Sequence, residues 1–392
     1  MRFAFTPEEV AFRAELRAFL DDALPPGWTG PADESREDHW ALTLRTRKEL
    51  ARRGWLTMSW PIEYGGRAAS PMMSLVFAEE MAYRRAPGND RFGTRMIGPI
   101  LMAAGTEEQK RRHLPAIARA EVQWCQGYSE PDAGSDLASL RTRAVDDGDE
   151  FVINGGKIWT SLAHRADWMF MLVRTGPDVP KHKGISMVLV DMKTPGITVR
   201  PIVNAAGHHS FNQVLFDDVR VPKENLVGAL NDGWRVGTAL LNFERANIDY
   251  VAWAQRTLDE LATYAKTATG RDGRPLSKDP DTRRRLAEFD VEIEQARLIT
   301  YETAWRQGRG ETPVAEASMS KLMGSDVNLR VHEYGVELLG MYGQLEPGSP
   351  HAQLEGRILK LRLGYISGPI LAGTNEIQRN IIAQRGLGLP RE

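Results

Sequence analysis

Two glutamates lie in segments that give a carboxylate something to act on. Glu376 is the only carboxylate in "GPILAGTNEIQRN", residues 368–380, where an apolar run passes through a glycine into an amide-rich stretch. Glu244 lies in "LLNFERANI", residues 240–248, beside Leu240 and Phe243 and with Ile248 one helical turn on. A carboxylate partly stripped of water by such neighbours has a raised pKa, which suits a general base near neutral pH. A helix-surface glutamate beside an arginine is the plainer reading of the same residues, because Glu is rarely buried.

Two further segments could hold a ligand. "CQGYSEPDAGSDLASL", residues 125–140, ends a strand in Ser129, Glu130 and Pro131 and then runs through small residues. Small residues let the backbone come close to a ligand. Ser129, Ser135 and backbone N–H groups suit an anionic or carbonyl-rich one. A strand-to-turn link with a helix cap at Asp136 explains the segment equally. "INGGKIWTSLAHRADW", residues 153–168, sets Trp159, Thr160 and Ser161 together after a glycine turn. Tryptophan offers a flat apolar wall and hydroxyls offer directional hydrogen bonds, so a planar cofactor fits. A core tryptophan at a strand end fits too.

Other chemistries lack their residues. No G-x-G-x-x-G follows a strand, and "NGGKIW" has neither the spacing nor the Ser/Thr of a P-loop. H-E-x-x-H and G-x-S-x-G are absent. His208 and His209 are adjacent, which suits metal ligation poorly and reads as a polar surface loop. One cysteine, Cys125, forms no intramolecular disulfide and no zinc site by itself. A net charge of −2 gives no general pull toward nucleic acid or anionic lipid. The N-terminus lacks the order of a signal peptide, and no apolar run approaches the roughly 18 residues of a membrane span. The expectation is a soluble, cytoplasmic protein of a reducing compartment.

The elements that must position these residues come in three blocks. Thr6 is a candidate N-cap, Pro7 takes the first helical position and Glu9 completes a capping box. Phe12, Leu16, Phe19, Leu20 and Ala23 then mark one helix face. Further helices are expected over 42–55, 70–86 and 106–121, the last interrupted by Pro115. From about residue 122 the chain turns to short β-branched and aromatic runs bounded by Gly, Asp and Pro, with "DDGDE" as a hairpin turn. Antiparallel strands at that spacing suggest a small barrel or sandwich. After residue 234 one long helix is expected, its apolar face stepping from Val236 through Leu240, Phe243, Asn247, Val251, Ala254 and Leu258 to Leu261. Helices over 281–308, 313–340 and 352–385 follow. The expected domains are helical over 1–121, β over 122–234 and a helical bundle over 235–392, an α+β chain.

Taken together, "SEPDAGSD", "NGGKIWTS", "FDDVRVPKENLVG" and "AGTNEIQRN", in this order and at these separations, resemble the acyl-CoA dehydrogenase family over essentially the whole chain. The resemblance implies an N-terminal helical domain, a central β domain and a C-terminal four-helix bundle, usually in a tetramer. It implies FAD, a base that removes the α-proton of an acyl-CoA, a hydride passed from the β-carbon to the flavin, and a 2-enoyl-CoA product. Electrons then pass to electron-transfer flavoprotein. By the same resemblance Gln126, Tyr128, Ser129, Gly134 and Ser135 line the flavin. Trp159 and Thr160 flank its ring on the side away from substrate, Ser161 continues that cofactor-binding loop, and Thr374 and Glu376 also contact FAD. Ser135, Asn242 and Arg245 contact the CoA moiety. Ala372 and Gly373 meet the acyl thioester, which the N–H of residue 372 hydrogen-bonds.

Many members of the family carry a glutamate base immediately before "GT", where this chain has Ala372. Isovaleryl-CoA and long-chain members resemble this chain in placing the base before an arginine on the long helix, the position of Glu244. Glu376 is therefore expected at the cofactor, not as the base. The small residue at 372 suggests a branched or ring-bearing substrate. The family's arginine to a neighbour's FAD pyrophosphate has only Arg271 and Arg274 as loose substitutes. "VELLGMYGQL" replaces a further flavin-contacting segment. These departures resemble bacterial members that act on bulky substrates and sometimes pair with a non-identical subunit. Two alternatives share the fold: a non-catalytic partner subunit and a flavin monooxygenase.

Overall fold

The computed structural model describes residues 4–31, 33–239, 248–270 and 272–390. The expected order of helices, strands and helices is observed, and the chain forms two compact units.

One unit comprises residues 1–31, 70–86 and 245–392. It contains α1 (Pro7–Ala23), α3 (Pro71–Tyr83), α7 (Ile248–Thr267), α8 (Pro280–Gly308), α9 (Val314–Leu338), α10 (Arg357–Tyr365) and α11 (Asn375–Ile381). The helix α1 begins as its sequence dictates. The Thr6 side chain accepts from the Glu9 N–H, Glu9 accepts in return from the Thr6 N–H, and Pro7 costs no hydrogen bond at the first position. The core gathers Val251, Ala254, Leu258 and Leu261 of α7 with Ile293 and Ala296 of α8. Val331 of α9 joins them, and α3 adds Leu75 and Ala78 from the N-terminal part of the chain. The expected single helix over 352–385 is instead α10 and α11 separated by a turn through Pro369 and Gly373. The reason is local: Ala372 and Gly373 take φ of +54° and +85°, which an α-helix cannot continue.

The other unit comprises residues 32–69 and 87–244. It holds α2 (Glu37–Arg52), α4 (Gly98–Ala104), α5 (Glu107–Ala118), α6 (Gly233–Ala239) and one connected eight-stranded sheet. The strands are β1 (Trp124–Gly127), β2 (Arg143–Asp147), β3 (Glu150–Lys157), β4 (Trp168–Arg174), β5 (Ile185–Asp191), β6 (Ile197–Val203), β7 (His209–Pro222) and β8 (Leu226–Val227). The order is β6-β7-β3-β2-β4-β5-β8, with β1 parallel to β4. β4 and β5 are buried on both faces. Phe170, Leu172, Met187 and Leu189 join a cluster with α4 and α5, while Met169, Met171, Val188 and Val190 point to the opposite cluster with β3 and β7. That alternation is the period of two expressed in two cores.

Pro115 does not interrupt α5, which runs through it to Ala118. It sits in the last turn, where only the bond to Arg111 is forgone. The glycine pair before Trp159 is not a turn either. Gly155 and Gly156 lie within β3, at a register shift against β7. Gly155 has φ +141°, and a Cβ there would lie 2.8 Å from the Thr142 backbone. Of the expected long helix, Val236 packs in the sheet unit and Val251 onward in the helical unit. Leu240, Phe243 and Asn247 lie outside the described residues. No helix among the described residues is long and apolar enough to cross a membrane.

Candidate functional site

In the sheet unit, two of the motif segments are brought side by side. The Ile158 N–H donates to the Ser129 carbonyl at 2.9 Å, and Lys157 Nζ donates to the Tyr128 carbonyl at 3.1 Å. Beneath them Lys157 Nζ and Glu130 Oε1 form an ion pair at 2.8 Å, the lysine side chain fully buried. The Glu130 carboxylate also accepts the N–H groups of Arg141 at 2.6 Å and Thr142 at 2.9 Å. Burial acts to raise the Glu130 pKa, but Lys157 and these donors outweigh it and hold the carboxyl below its usual range. Burial pushes Lys157 down to about 8 against the lift from Glu130. Glu130 and Ala133 exchange backbone hydrogen bonds, both 3.1 Å, so the loop through Pro131 is a closed turn. Gln126 is half-buried on β1 opposite Phe170, and the Tyr128 ring meets Phe170 edge-on. Gly134 and Ser135 are exposed.

Trp159 has φ +59° and is 58% exposed, an unusual state for a tryptophan. Its ring meets Phe211 edge-on at 6.3 Å. Thr160 is buried, and its hydroxyl oxygen has no hydrogen-bond partner among the described residues. Ser161 is half-buried. An open aromatic face beside a buried, unpartnered hydroxyl fits a planar ligand that carries a hydrogen-bonding edge. A flavin is such a ligand.

The segment is strapped to β7 by an asparagine that the sequence alone did not single out. The Thr160 N–H donates to the Asn212 carbonyl at 3.0 Å, and Leu162 N–H donates to Ser210 O at 3.3 Å. The fully buried Asn212 side chain donates to the Thr160 carbonyl at 2.9 Å. That carbonyl can only accept, so it fixes which end of the amide faces it. The other contacts then follow: Asn212 Nδ2 lies 3.2 Å from His164 Nδ1, and His209 Nε2 donates to Asn212 Oδ1 at 2.7 Å. His164 and His209 stack with centroids 4.0 Å apart. Burial, with His209 and Arg165 adding to it, pushes His164 down to about 4. His209 is thus part of this structure and not of a free surface loop, because the Asn212 amide gives it a partner.

In the helical unit, Thr374 caps α11, its hydroxyl accepting the Ile377 N–H at 3.3 Å. Ala372 is exposed, and no hydrogen-bond acceptor is found for its N–H among the described residues. Gln378 Nε2 donates to the Ala372 and Gly373 carbonyls at 3.4 and 3.1 Å. An alanine Cβ at Gly373 would lie 2.7 Å from that nitrogen. Glu376 is exposed, and its own N–H and the Thr374 hydroxyl hold its carboxyl below the usual range. A general base near neutrality needs the opposite shift. Glu244, Asn242, Arg245 and Arg271 lie outside the described residues. Among the described residues there is no cluster of three potential metal ligands.

Family models match the whole organisation: "Acyl-CoA dehydrogenase, N-terminal domain" over residues 6–121, "middle domain" over 125–219 and "C-terminal domain" over 231–387. The chain is 39% identical to "Acyl-CoA dehydrogenase IpdE1" of Mycobacterium tuberculosis, over 97% of this chain and 98% of that protein. It is 36% identical to "Acyl-CoA dehydrogenase FadE26" of the same organism, over 100% and 99%. Among solved structures it resembles a chain of the "ChsE4-ChsE5 complex from Mycobacterium tuberculosis", at TM-score 0.91 and 36% identity, with both chains fully covered. It also resembles a chain of the "Tcur3481-Tcur3483 steroid ACAD", at TM-score 0.89 and 35% identity, again with both fully covered. Fold, motif order and relatives along the full length agree: the chain belongs to the acyl-CoA dehydrogenase family, whose members are oxidoreductases.

Proposed function

We propose that this chain is the catalytic subunit of an FAD-dependent acyl-CoA dehydrogenase that converts a bulky, ring-bearing acyl-CoA to its 2-enoyl-CoA. The observation that carries this reading is the turn at Ala372: a methyl side chain in left-handed backbone, with a backbone N–H that lacks a protein acceptor among the described residues. A glutamate at 372 would occupy space beside the acyl chain. Alanine leaves that space open and keeps the N–H.

FAD, when bound, supplies the acceptor for the β-hydride. Glu244 takes the α-proton, and its apolar neighbours in sequence suit it to that task. The Ala372 N–H donates to the thioester oxygen and favours the negative charge that grows there as the proton leaves. Gly373 allows the turn. Trp159 would cover one face of the cofactor ring, and Thr160 and Ser161 would hydrogen-bond its edge. Gln126, Tyr128, Ser129, Gly134 and Ser135 would line the cofactor, and Thr374 and Glu376 would also contact it. Ser135, Asn242 and Arg245 hold the CoA moiety. Electrons leave to electron-transfer flavoprotein. The solved relatives carry two-component names, one of them with a steroid substrate class. They support a hetero-oligomer, as a tetramer, acting on a polycyclic acyl group.

The test is FAD stoichiometry of the purified protein followed by anaerobic mixing with straight-chain, branched and ring-bearing acyl-CoAs. Ring-bearing thioesters should bleach the flavin fastest. A colourless protein that takes up no FAD, even with a candidate partner chain, overturns the reading. Glu244→Ala should abolish bleaching, and adding Ala372→Glu should restore part of it with a preference for straight chains. The rescue should remain incomplete, since a misplacement of about 1 Å can cost roughly a hundredfold.

A further inference from the structure

A buried lysine grips both ends of the turn that carries Ala372. Lys321 lies on α9 and is 3% exposed. Its Nζ donates to the Pro369 carbonyl at 3.2 Å and to Asn375 Oδ1 at 2.9 Å. Ser325, one helical turn on, donates to the same Oδ1 at 3.0 Å. The Asn375 N–H itself donates to the Pro369 carbonyl at 2.8 Å. Pro369 and Asn375 are thus the closed neck of a loop, and one ammonium holds both sides of the neck. Within the loop lie Ala372 and Gly373 with their positive φ.

Both acceptors of the ammonium are uncharged. Glu376, the carboxylate on the same stretch, pairs with Arg379 at 3.7 Å. A buried cation without a bonded counter-ion is costly, and a methionine would fill similar space without that cost. Packing therefore does not explain the charge. We infer that Lys321 is a positioning residue for acyl-CoA dehydrogenation: it fixes the 369–375 turn in its substrate-receiving shape and places a positive charge at the neck of the loop that carries Ala372. There it favours the negative charge that develops on the thioester oxygen. This rests on the proposed function, but the positioning half stands on the hydrogen bonds alone.

Burial pushes Lys321 down to about 8, against a lift from Glu376. Among the described residues the charged groups that α11 brings to this neighbourhood are Glu376 and Arg379, which pair with each other. From α8, Thr300 bonds Ser320, an uncharged contact.

The experiment compares the FAD-loaded protein, with any co-purifying partner chain, as wild type, Lys321→Met, Lys321→Gln and Ser325→Ala. Hydrogen–deuterium exchange over 369–375 without acyl-CoA reads the turn. The pH profile of flavin reduction reads the charge. Lys321→Met should speed exchange at least about tenfold and cut kcat/KM by roughly ten- to a hundredfold, the scale of a small misplacement. Lys321→Gln can still donate to both acceptors. It should keep exchange within about threefold of wild type yet lose the fall in rate that wild type shows as pH rises through about 8. Ser325→Ala should keep that fall. Wild-type exchange in Lys321→Met overturns the positioning half, and a wild-type pH profile in Lys321→Gln overturns the charge half and decides alone should Met fail to fold. If no acyl-CoA reduces the wild type, the proposed function falls, and exchange still decides whether Lys321 positions the turn.

Discussion

Trp159 and Ala372 share a left-handed backbone, φ +59° and +54°, and both are exposed, yet opposite means hold them. Trp159 lies two residues past the end of β3, and past the last strand pair the chain stays strapped to β7 by main-chain bonds at Asn212 and Ser210. No strand lies among the described residues of the unit that carries Ala372. One main-chain bond, from the Asn375 N–H to the Pro369 carbonyl, closes the neck of its turn, and side chains hold the rest: Lys321 and Ser325 through Asn375, and Gln378 through two carbonyls. A segment held by backbone should tolerate side-chain truncation around it. A segment held by side chains should not. The exception on the sheet side is the ion pair under the Tyr128–Glu130 loop, where a buried charge is at stake.

The largest effect is therefore expected at that pair. Lys157→Met leaves the Glu130 carboxylate buried without its cation and should cost about 3–5 kcal/mol in urea unfolding. Adding Glu130→Gln should recover part of the loss. If Lys157→Met is as stable as wild type, the ion pair does not support the loop. Asn212→Ala comes next, at about 1–3 kcal/mol, because it strips the Thr160 carbonyl of a partner but leaves both main-chain bonds. A loss equal to that of Lys157→Met would mean that the strap is not a backbone one. Gly373→Ala should cost about 1–2 kcal/mol from its φ of +85°. The reverse probe, Ala372→Gly, should change stability by less than about 1 kcal/mol, since relief of strain and the added freedom of the unfolded chain oppose each other.

Acid and base should separate the two regions further. His164 has its pKa lowered to about 4 from 6.5, so the unfolded chain binds the extra proton across that window. Stability should fall as pH drops from 6.5 toward 4, and His164→Phe should flatten part of that fall. Lys321 is lowered from 10.5 to about 8, and again the unfolded chain holds the proton longer. Its contribution to stability should rise as pH climbs from 8 to 10.5, and the difference between wild type and Lys321→Met should show that rise. A difference curve without slope in that window would mean that Lys321 is not desolvated in solution.

What was legible in the sequence was local or repetitive. The Thr6 cap, the α1 face and the short apolar runs that become β4 and β5 are fixed by residues a few positions apart, and the structure reproduces them. The motif segments at 125–140 and 153–168 were also visible as places for a ligand. What held them was not. Asn212 reaches Thr160 across 52 residues, and Lys321 reaches Asn375 across 54. No periodicity encodes such pairings. Gly155 and Gly156 read as a turn because glycine pairs often make one, but here the reason is the close approach of Thr142. Lys321 left a faint trace, a lysine among the buried positions Ala317, Ser318, Ser320 and Gly324 of α9. A charged residue in such a row signals a buried bond, although not its partner.

On the proposed function, Glu244 takes the α-proton of a bound acyl-CoA. The most direct measurement is anaerobic stopped-flow reduction of the FAD-loaded protein by a ring-bearing acyl-CoA, comparing wild type with Glu244→Gln at equal FAD content. Glutamine keeps the shape and hydrogen-bonding reach but accepts no proton. Acyl-CoA binding should survive and flavin bleaching should fall by at least about a thousandfold, toward the upper range for loss of a general base. Bleaching of Glu244→Gln at the wild-type rate would contradict it.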